Sequence, residues 1–335
     1  MWVPNLPVTI ASVVCATAGA VCIFKDLYGG PPYEKKARAD NKTVVVTGAT
    51  SGIGKEAAWD FARRGSKVFM ACRDMEKCET IRRDIVLETK NKYVYCRPCD
   101  LASLDSVTNF VQRFKSEEPL CHVLVNNAGV MEPPQSVTRD GFELQLGVNH
   151  LGHFLLTNLM LDSLKAGAPS RVVIVSSSAH RRGHVHKEDL NLSKQYDASA
   201  AYSQSKLANL LFARELARRT LDAGIAVIAV DPGVTDTNLT RHMKMMKSIS
   251  RFMVYPLFWP FMKSPKIGSQ VIVHAALDPK LEKATGDYYV DMKKAEPSKE
   301  AQDFELAYWL WKVSEKWTKL DERERTVTRA LAQAA

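Results

Sequence analysis

The chain has no Asp or Glu between Thr237 and Leu277, although 37 acidic residues occur elsewhere along its 335 positions. In that window fall Arg241, Lys244, Lys247, Arg251, Lys263 and Lys266, which account for most of the formal charge of +9. Their neighbours are Met, Phe, Trp and Leu rather than polar and stacking groups. This argues against a nucleic-acid footprint and for an anionic membrane surface. A second absence is charge of either sign from Val8 to Phe24. That run is near the lower limit for crossing a bilayer, and its Ala, Thr, Ser and Gly make it a weak spanner. No Lys or Arg precedes it, which argues against a cleaved signal peptide, and the lack of Arg argues against an ordinary mitochondrial presequence. Lys25, Lys35, Lys36 and Arg38 follow it. An uncleaved anchor over residues 1–27 is therefore expected, with the main domain on the cytoplasmic side or its topological equivalent. The competing reading is an N-terminal helix packed on the protein's own core.

Cysteine is scarce and scattered, with 7 in all. Cys96 and Cys99 form a lone CxxC without a second pair at zinc spacing, and without the flanking residues of a redox motif. They read as two thiols at a strand end in a reducing compartment, and no metal site is expected. No internal repeat or low-complexity tract is visible. Hydrophobic residues at 46% and charged residues at 25% suit a globular chain with a sizeable core.

Residues 28–41, rich in Gly, Pro and charge, read as a linker. From there β-branched runs alternate with segments of helical periodicity: KTVVVTG, KVFMAC, YVYCRPC, HVLVNNAG, RVVIVSSS and IAVIAVDPG are strand-like, and GDYYVD suits a closing strand. Repeated strand-helix-strand units give an α/β fold, a doubly wound parallel sheet with helices on both faces. Ligands of such sheets bind at the carboxyl ends of the strands. One domain is expected over residues 42–320, with a substrate lid at about 238–265 and a tail at 321–335.

The motifs sit at those strand ends. TGATSGIG joins the first strand to the first helix. Gly48 permits the turn, Gly52 lets backbone amides approach a pyrophosphate at the helix N-terminus, and Gly54 lets helix meet strand. Ser51 and Ile53 belong to the same loop. The second strand ends in Cys72-Arg73, with no carboxylate at the position that would hold a ribose 2′-hydroxyl, although Asp74 is adjacent. A guanidinium suits a 2′-phosphate, so NADP(H) is expected over NAD(H). Asp100 ends the third strand near the adenine. Asn127, Ala128 and Gly129 end the fourth beside the cofactor.

Tyr202 and Lys206 stand four residues apart in a predicted helix, which places a phenol beside an ammonium. A nearby cation lowers a phenol's pKa and readies it for proton exchange with a carbonyl or alcohol oxygen. Alone, such a pair is more often an ordinary helix face. Ser177 at a strand end could hydrogen-bond the substrate oxygen, with Ser176 a close rival. Asn149, an amide inside an apolar helix, disfavours regular helix there and could hold a water beside Lys206.

Taken in order, TGATSGIG, NNAG, the Asn of GVNHLGHF, the Ser of VIVSSSAH, YSQSK and DPG resemble the short-chain dehydrogenase/reductases over about Lys42 to Val290. The resemblance implies a Rossmann-like sheet of about seven strands and a tetrad of Asn149, Ser177, Tyr202 and Lys206. It also implies nicotinamide contacts from Pro232, Gly233 and Thr237. ACRDMEKCE, NNAGVM and YSQSKLANLLF look like the retinol dehydrogenase branch, while SSSAHRRGHV departs from that branch's wording. This implies NADP(H), lipophilic aldehyde and alcohol substrates, above all retinal and retinol, and attachment to the mitochondrial inner membrane, with the endoplasmic reticulum as the alternative. A reductase of steroid or lipid-peroxidation carbonyls with the same tetrad is the rival enzyme, and a non-catalytic NADPH-binding scaffold the rival of another class.

Leu239, Met243 and Met246 recur at helical spacing with Arg241, Lys244 and Lys247 on another face. FMVYPLFWPFM follows. This lid is read as resting on lipid over a lipophilic substrate, with core packing or a homodimer contact as the plainer alternatives. The exposure of Trp259 and Phe261 would discriminate between them.

Overall fold

Each β-branched run becomes a buried parallel strand. The computed structural model describes residues 37–235 and 262–334 continuously, with Gly30, Pro32, Tyr33 and a few isolated positions before them. Most of the anchor and almost all of the lid, with Thr237, Trp259 and Phe261, lie outside the described residues. Among those described, no helix is long and apolar enough to cross a membrane.

The strands are β1 (Thr43–Thr47), β2 (Lys67–Cys72), β3 (Val94–Pro98), β4 (Val123–Asn126), β5 (Ser170–Val175), β6 (Ile225–Asp231), β7 (Asp287–Val290) and β8 (Lys293–Ala295). They lie in the order β3-β2-β1-β4-β5-β6-β7-β8. Seven run parallel; the eighth is an antiparallel edge paired to β7. The expected parallel sheet of about seven strands is present, and one hairpin adds an eighth. Its turn residues, Asp291 and Met292, both adopt positive φ, at 50° and 61°. Asp-Met lacks the Asn-Gly or Asp-Gly wording that announces such a turn.

Successive side chains of a strand face opposite ways, and the core divides accordingly. Val45, Phe69, Leu124, Val172 and Ile174 join the layer on one face. Val44, Val46, Val68, Met70, Val123, Val125, Val173 and Val175 join the other. The first face is covered by α3 (Leu104–Glu117), α5 (Gly152–Leu159), α7 (Ala198–Arg219) and α10 (Phe304–Thr318), the second by α1 (Gly52–Arg63), α2 (Met75–Thr89) and α9 (Gln270–Leu277). Short helices α4 (Leu144–Leu146), α6 (Leu161–Ala166) and α8 (Pro265–Gly268) complete these layers. The stretch read as a tail is helix α11 (Leu320–Ala334). Leu320 and Val327 are buried in the first layer, and Arg323 donates to Asp105 at 2.7 Å and Thr108 at 3.0 Å on α3.

One cysteine expectation is corrected. Cys96 is bonded to Cys78 with Cα atoms 6.0 Å apart, because α2 packs on β3 and brings together residues 18 apart in sequence. Cys99 of the CxxC is a free, buried thiol, as are Cys72 and Cys121. The spacing of the cysteines could not show this pairing, and it removes the basis for reading a reducing compartment from them.

Candidate active site

β1 is tied to the end of the neighbouring parallel strand β4 through Thr47, which is buried. Its hydroxyl oxygen accepts the amides of Asn127 at 2.9 Å and Ala128 at 3.0 Å, and its carbonyl accepts the Asn127 side-chain amide at 3.0 Å. The glycine loop is thereby locked to the fourth strand end. Gly48 adopts φ +67°, and a Cβ there would stand 2.9 Å from the Ala128 backbone. Gly54 faces Asn127, and a Cβ on it would lie 2.5 Å from the Gly48 carbonyl. Ser51 begins α1 without a side-chain cap, and no acidic residue lies in the first turn. The first amides of α1 are thus left for an anion, which fits a pyrophosphate.

A cavity of about 400 Å³ runs from this loop across the sheet's carboxyl edge. Gly48, Ser51, Gly52, Ile53 and Gly54 line it at one side, with Arg73 and Asp100 beyond the second and third strands. Asn127, Ala128, Gly129, Pro232 and Gly233 continue the wall to Ser177, Tyr202 and Lys206. Every expected site residue among those described therefore borders this cavity except Asn149, which lies behind Gly129. A Cβ at Gly129 would stand 3.2 Å from Asn149 Oδ1 and 3.8 Å from Lys206 Nζ, so both side chains converge there.

Asn149 sits in a π-helical turn, Gly147–Leu151, the departure from regular helix expected of it. Its side chain accepts from the Val130 amide at 2.9 Å and donates to the Val130 carbonyl at 3.0 Å and Ser205 Oγ at 2.9 Å. Asn149 therefore clasps the chain after NNAG. Its carbonyl is taken by His153, a residue sequence reasoning gave no role. Burial holds the His153 imidazole down to about 4. The neutral ring donates from Nδ1 to the Asn149 carbonyl at 3.0 Å and accepts the Thr47 hydroxyl at Nε2, 2.8 Å away.

The two serines separate. Ser176 is buried and its hydroxyl donates to the Lys206 carbonyl at 2.8 Å, pinning α7 to the strand end. Ser177 caps the following turn weakly, accepting from Ala179 at 3.3 Å. Its hydroxyl also acts on the Tyr202 phenol.

Tyr202 and Lys206 point the same way from α7, with Nζ 5.6 Å from the phenol ring centre. Both are buried, and Nζ donates to the Val175 carbonyl at 3.2 Å. Burial pushes the phenol up from its ordinary value; the Ser177 hydroxyl opposes this, and the Asp231 and Glu132 carboxylates add to it. The expected depression is not found: desolvation dominates, so the phenol is held protonated, the form that acts as an acid. Burial pushes the Lys206 ammonium down to about 8, with Asp231 partly opposing.

Lys206 therefore burdens the fold. Its ordinary pKa is 10.5, so between pH 8 and 10.5 the unfolded chain binds more protons and stability rises with pH. Below that window the full cost of the buried ammonium is carried. Lys206→Met is expected to raise the unfolding free energy at pH 7 by on the order of 2–3 kcal/mol, the gain vanishing near the upper end of the window. Urea titrations across pH measure it. The Val175 carbonyl keeps a partner in Asn209, at 3.1 Å.

The chain matches the short chain dehydrogenase family over residues 42–248. It is 48% identical to retinol dehydrogenase 13 of Mus musculus over 305 residues, covering 90% of this chain and 91% of that protein. To retinol dehydrogenase 11 of Homo sapiens it is 46% identical, over 82% of this chain and 84% of that one. A crystal structure of a Mycobacterium paratuberculosis protein, 36% identical, superposes with a TM-score of 0.69, covering 87% of this chain and 98% of that one. The glycine loop, the cavity it opens and the buried phenol beside an ammonium are thus those of a relative of the retinol dehydrogenases, and the chain belongs to the short chain dehydrogenase family of oxidoreductases that use a nicotinamide cofactor.

Proposed function

We propose that the protein is an NADP(H)-dependent reductase of lipophilic aldehydes and ketones, with retinal as the leading substrate. The observation that carries this is the Tyr202–Lys206 pair, buried in the cavity that the glycine loop opens. A nicotinamide bound in this cavity would supply hydride for the carbonyl carbon. Tyr202, held protonated, gives its proton to the carbonyl oxygen, and Ser177 hydrogen-bonds that oxygen. Lys206 donates to the cofactor ribose and, as a cation, favours the phenolate once the proton has left. Asn149 keeps Val130 and the fourth strand end in place beneath the cofactor.

The choice of NADP(H) is supported at the far end of the cavity. Arg73 is exposed there, and Lys77, which sequence reasoning missed, lines the same wall. The rival carboxylate, Asp74, also lines the cavity, but its Oδ1 caps α2, accepting the Lys77 amide at 3.0 Å. Arg73→Gln with Lys77→Gln is expected to weaken NADPH binding by about 30-fold while leaving NADH nearly unchanged, read by fluorescence titration. Equal effects on both cofactors would count against the assignment.

The substrate side is apolar, with Val130, Met131, Leu144 and Val148 on the wall. That lining and the likeness to retinol dehydrogenases support a retinoid. The test is NADPH consumption by purified protein on a panel of all-trans-retinal, a steroid ketone and a hydroxyalkenal. The proposal expects the highest kcat/KM with retinal. Preference for another carbonyl would move the assignment to the rival reductase, and NADPH binding without any turnover would support the scaffold. Attachment to a membrane through residues 8–24 and the cationic lid belongs to the same proposal, supported by the charge pattern. The mitochondrial inner membrane is the leading site and the reticulum the alternative. A second copy of the chain is the other candidate partner for the lid; nucleic acid is not one.

A further inference from the structure

Asp231 ends β6, buried in the wall of the cavity that the glycine loop and the Tyr202–Lys206 pair also line. Oδ1 accepts the Gly233 amide at 2.8 Å, and Oδ2 accepts the Tyr288 hydroxyl at 3.2 Å. These bonds fix the carboxylate without neutralising it. No Lys or Arg forms an ion pair with it among the described residues. Its charge acts on Tyr202 and Lys206 from α7, Tyr288 from β7 and His180 from the turn after β5, and Arg181 acts on the last two. His180 is buried, and burial holds its imidazole below the ordinary value. Arg181 is exposed and donates to the Glu296 carbonyl at 2.6 Å. Lys206 donates to a carbonyl and makes no carboxylate contact among the described residues. A buried negative charge thus faces the end of the cavity where the nicotinamide belongs. The family resemblance implied nicotinamide contacts from Pro232 and Gly233, and Asp231 was assigned no role of its own.

We propose that Asp231 makes the pocket discriminate between the two redox forms of the cofactor, holding the cationic oxidised nicotinamide more tightly than the neutral reduced one and so biasing the site toward carbonyl reduction. This rests on the reading of the site as an NADP(H) pocket. The two forms differ by one positive charge on the ring. A carboxylate fixed in a poorly solvated wall attracts that charge and has little effect on the neutral ring. Tighter binding of the oxidised form favours hydride donation on the enzyme. The same charge helps keep Tyr202 protonated, which is the state reduction requires. Asp231 acts on the reaction through the cofactor and the phenol, as a residue that sets direction.

The experiment titrates the purified full chain with NADP+ and, separately, with NADPH, without substrate. It compares the ratio of the two dissociation constants in the wild type and in Asp231→Asn. Asn keeps an oxygen for the Gly233 amide and removes the charge. The proposal expects the ratio to shift by about tenfold against NADP+, through weaker NADP+ binding with NADPH nearly unchanged. Equal weakening of both forms, or an unchanged ratio, would overturn it. Asp231→Ser, with thermal melts of both variants, supplies a second removal of the charge should the first fold poorly. If both forms bind the wild type and only the ratio fails to move, the proposal falls while the functional reading stands. If neither form binds, both fall.

Discussion

Tyr202→Phe is expected to lower kcat/KM for aldehyde reduction by about 10³-fold while NADPH binding and the melting temperature stay near those of the wild type. The substitution removes one hydroxyl and keeps the ring, which packs in a buried position on α7. Its one side-chain hydrogen bond among the described residues is to Ser177, inside the cavity, and its other interactions are with the charges around it. What disappears is the proton donor. Without it, hydride transfer leaves negative charge on the substrate oxygen in a buried site, where only Ser177 remains to hold it. The loss should fall on kcat, because the phenol's bond to the oxygen strengthens as charge develops there. Reduction by the variant at the wild-type rate would remove Tyr202 from the chemistry.

Gly54→Ala should produce the largest loss of cofactor binding and stability among single methyl additions near the site. The added carbon would meet the Gly48 carbonyl at 2.5 Å and the Asn127 side chain closer still. Neither neighbour can yield cheaply. Gly48 is fixed by its positive φ and by the amide bond it makes to the Ala71 carbonyl at 3.3 Å. Asn127 is fixed by its bond to Thr47. Overpacking at such a position costs about 2–3 kcal/mol. Relief requires the loop to open and α1 to draw away from the sheet, which misplaces the amides meant for the pyrophosphate. Calorimetric melts and an NADPH titration would read the two losses together. A variant as stable as the wild type with unchanged affinity would show that the loop has room the geometry denies it.

Much of this site was legible because each motif lies at a strand end and the alternation of strand and helix fixes where those ends go. Gly48, Gly52 and Gly54 could be assigned roles from position alone, since only that order of strand, loop and helix gives three glycines three different tasks. Helical spacing put Tyr202 beside Lys206, and the motifs around them, through the family resemblance, gave the pair its role. What escaped had no local signature. Lys77 reaches the cavity only because α2 starts at the end of β2. His153 matters because a π-helical turn aims its ring at Thr47, more than a hundred residues earlier. Cys78 meets Cys96 through helix-on-strand packing. Asp231 is buried by Tyr288 from a strand that follows it by more than fifty residues. The direction of the phenol's pKa was missed for a related reason: the sequence shows the neighbouring ammonium, whereas the depth of burial that raises the pKa belongs to the folded chain.

The most direct test of the account is the fate of the hydride. Purified protein given all-trans-retinal and NADPH deuterated at the transferred position of the nicotinamide should yield retinol carrying the deuterium at its carbinol carbon, with slower turnover than the protiated cofactor. Retinol without the label, or binding of the cofactor with no transfer to retinal or any other carbonyl offered, would contradict it.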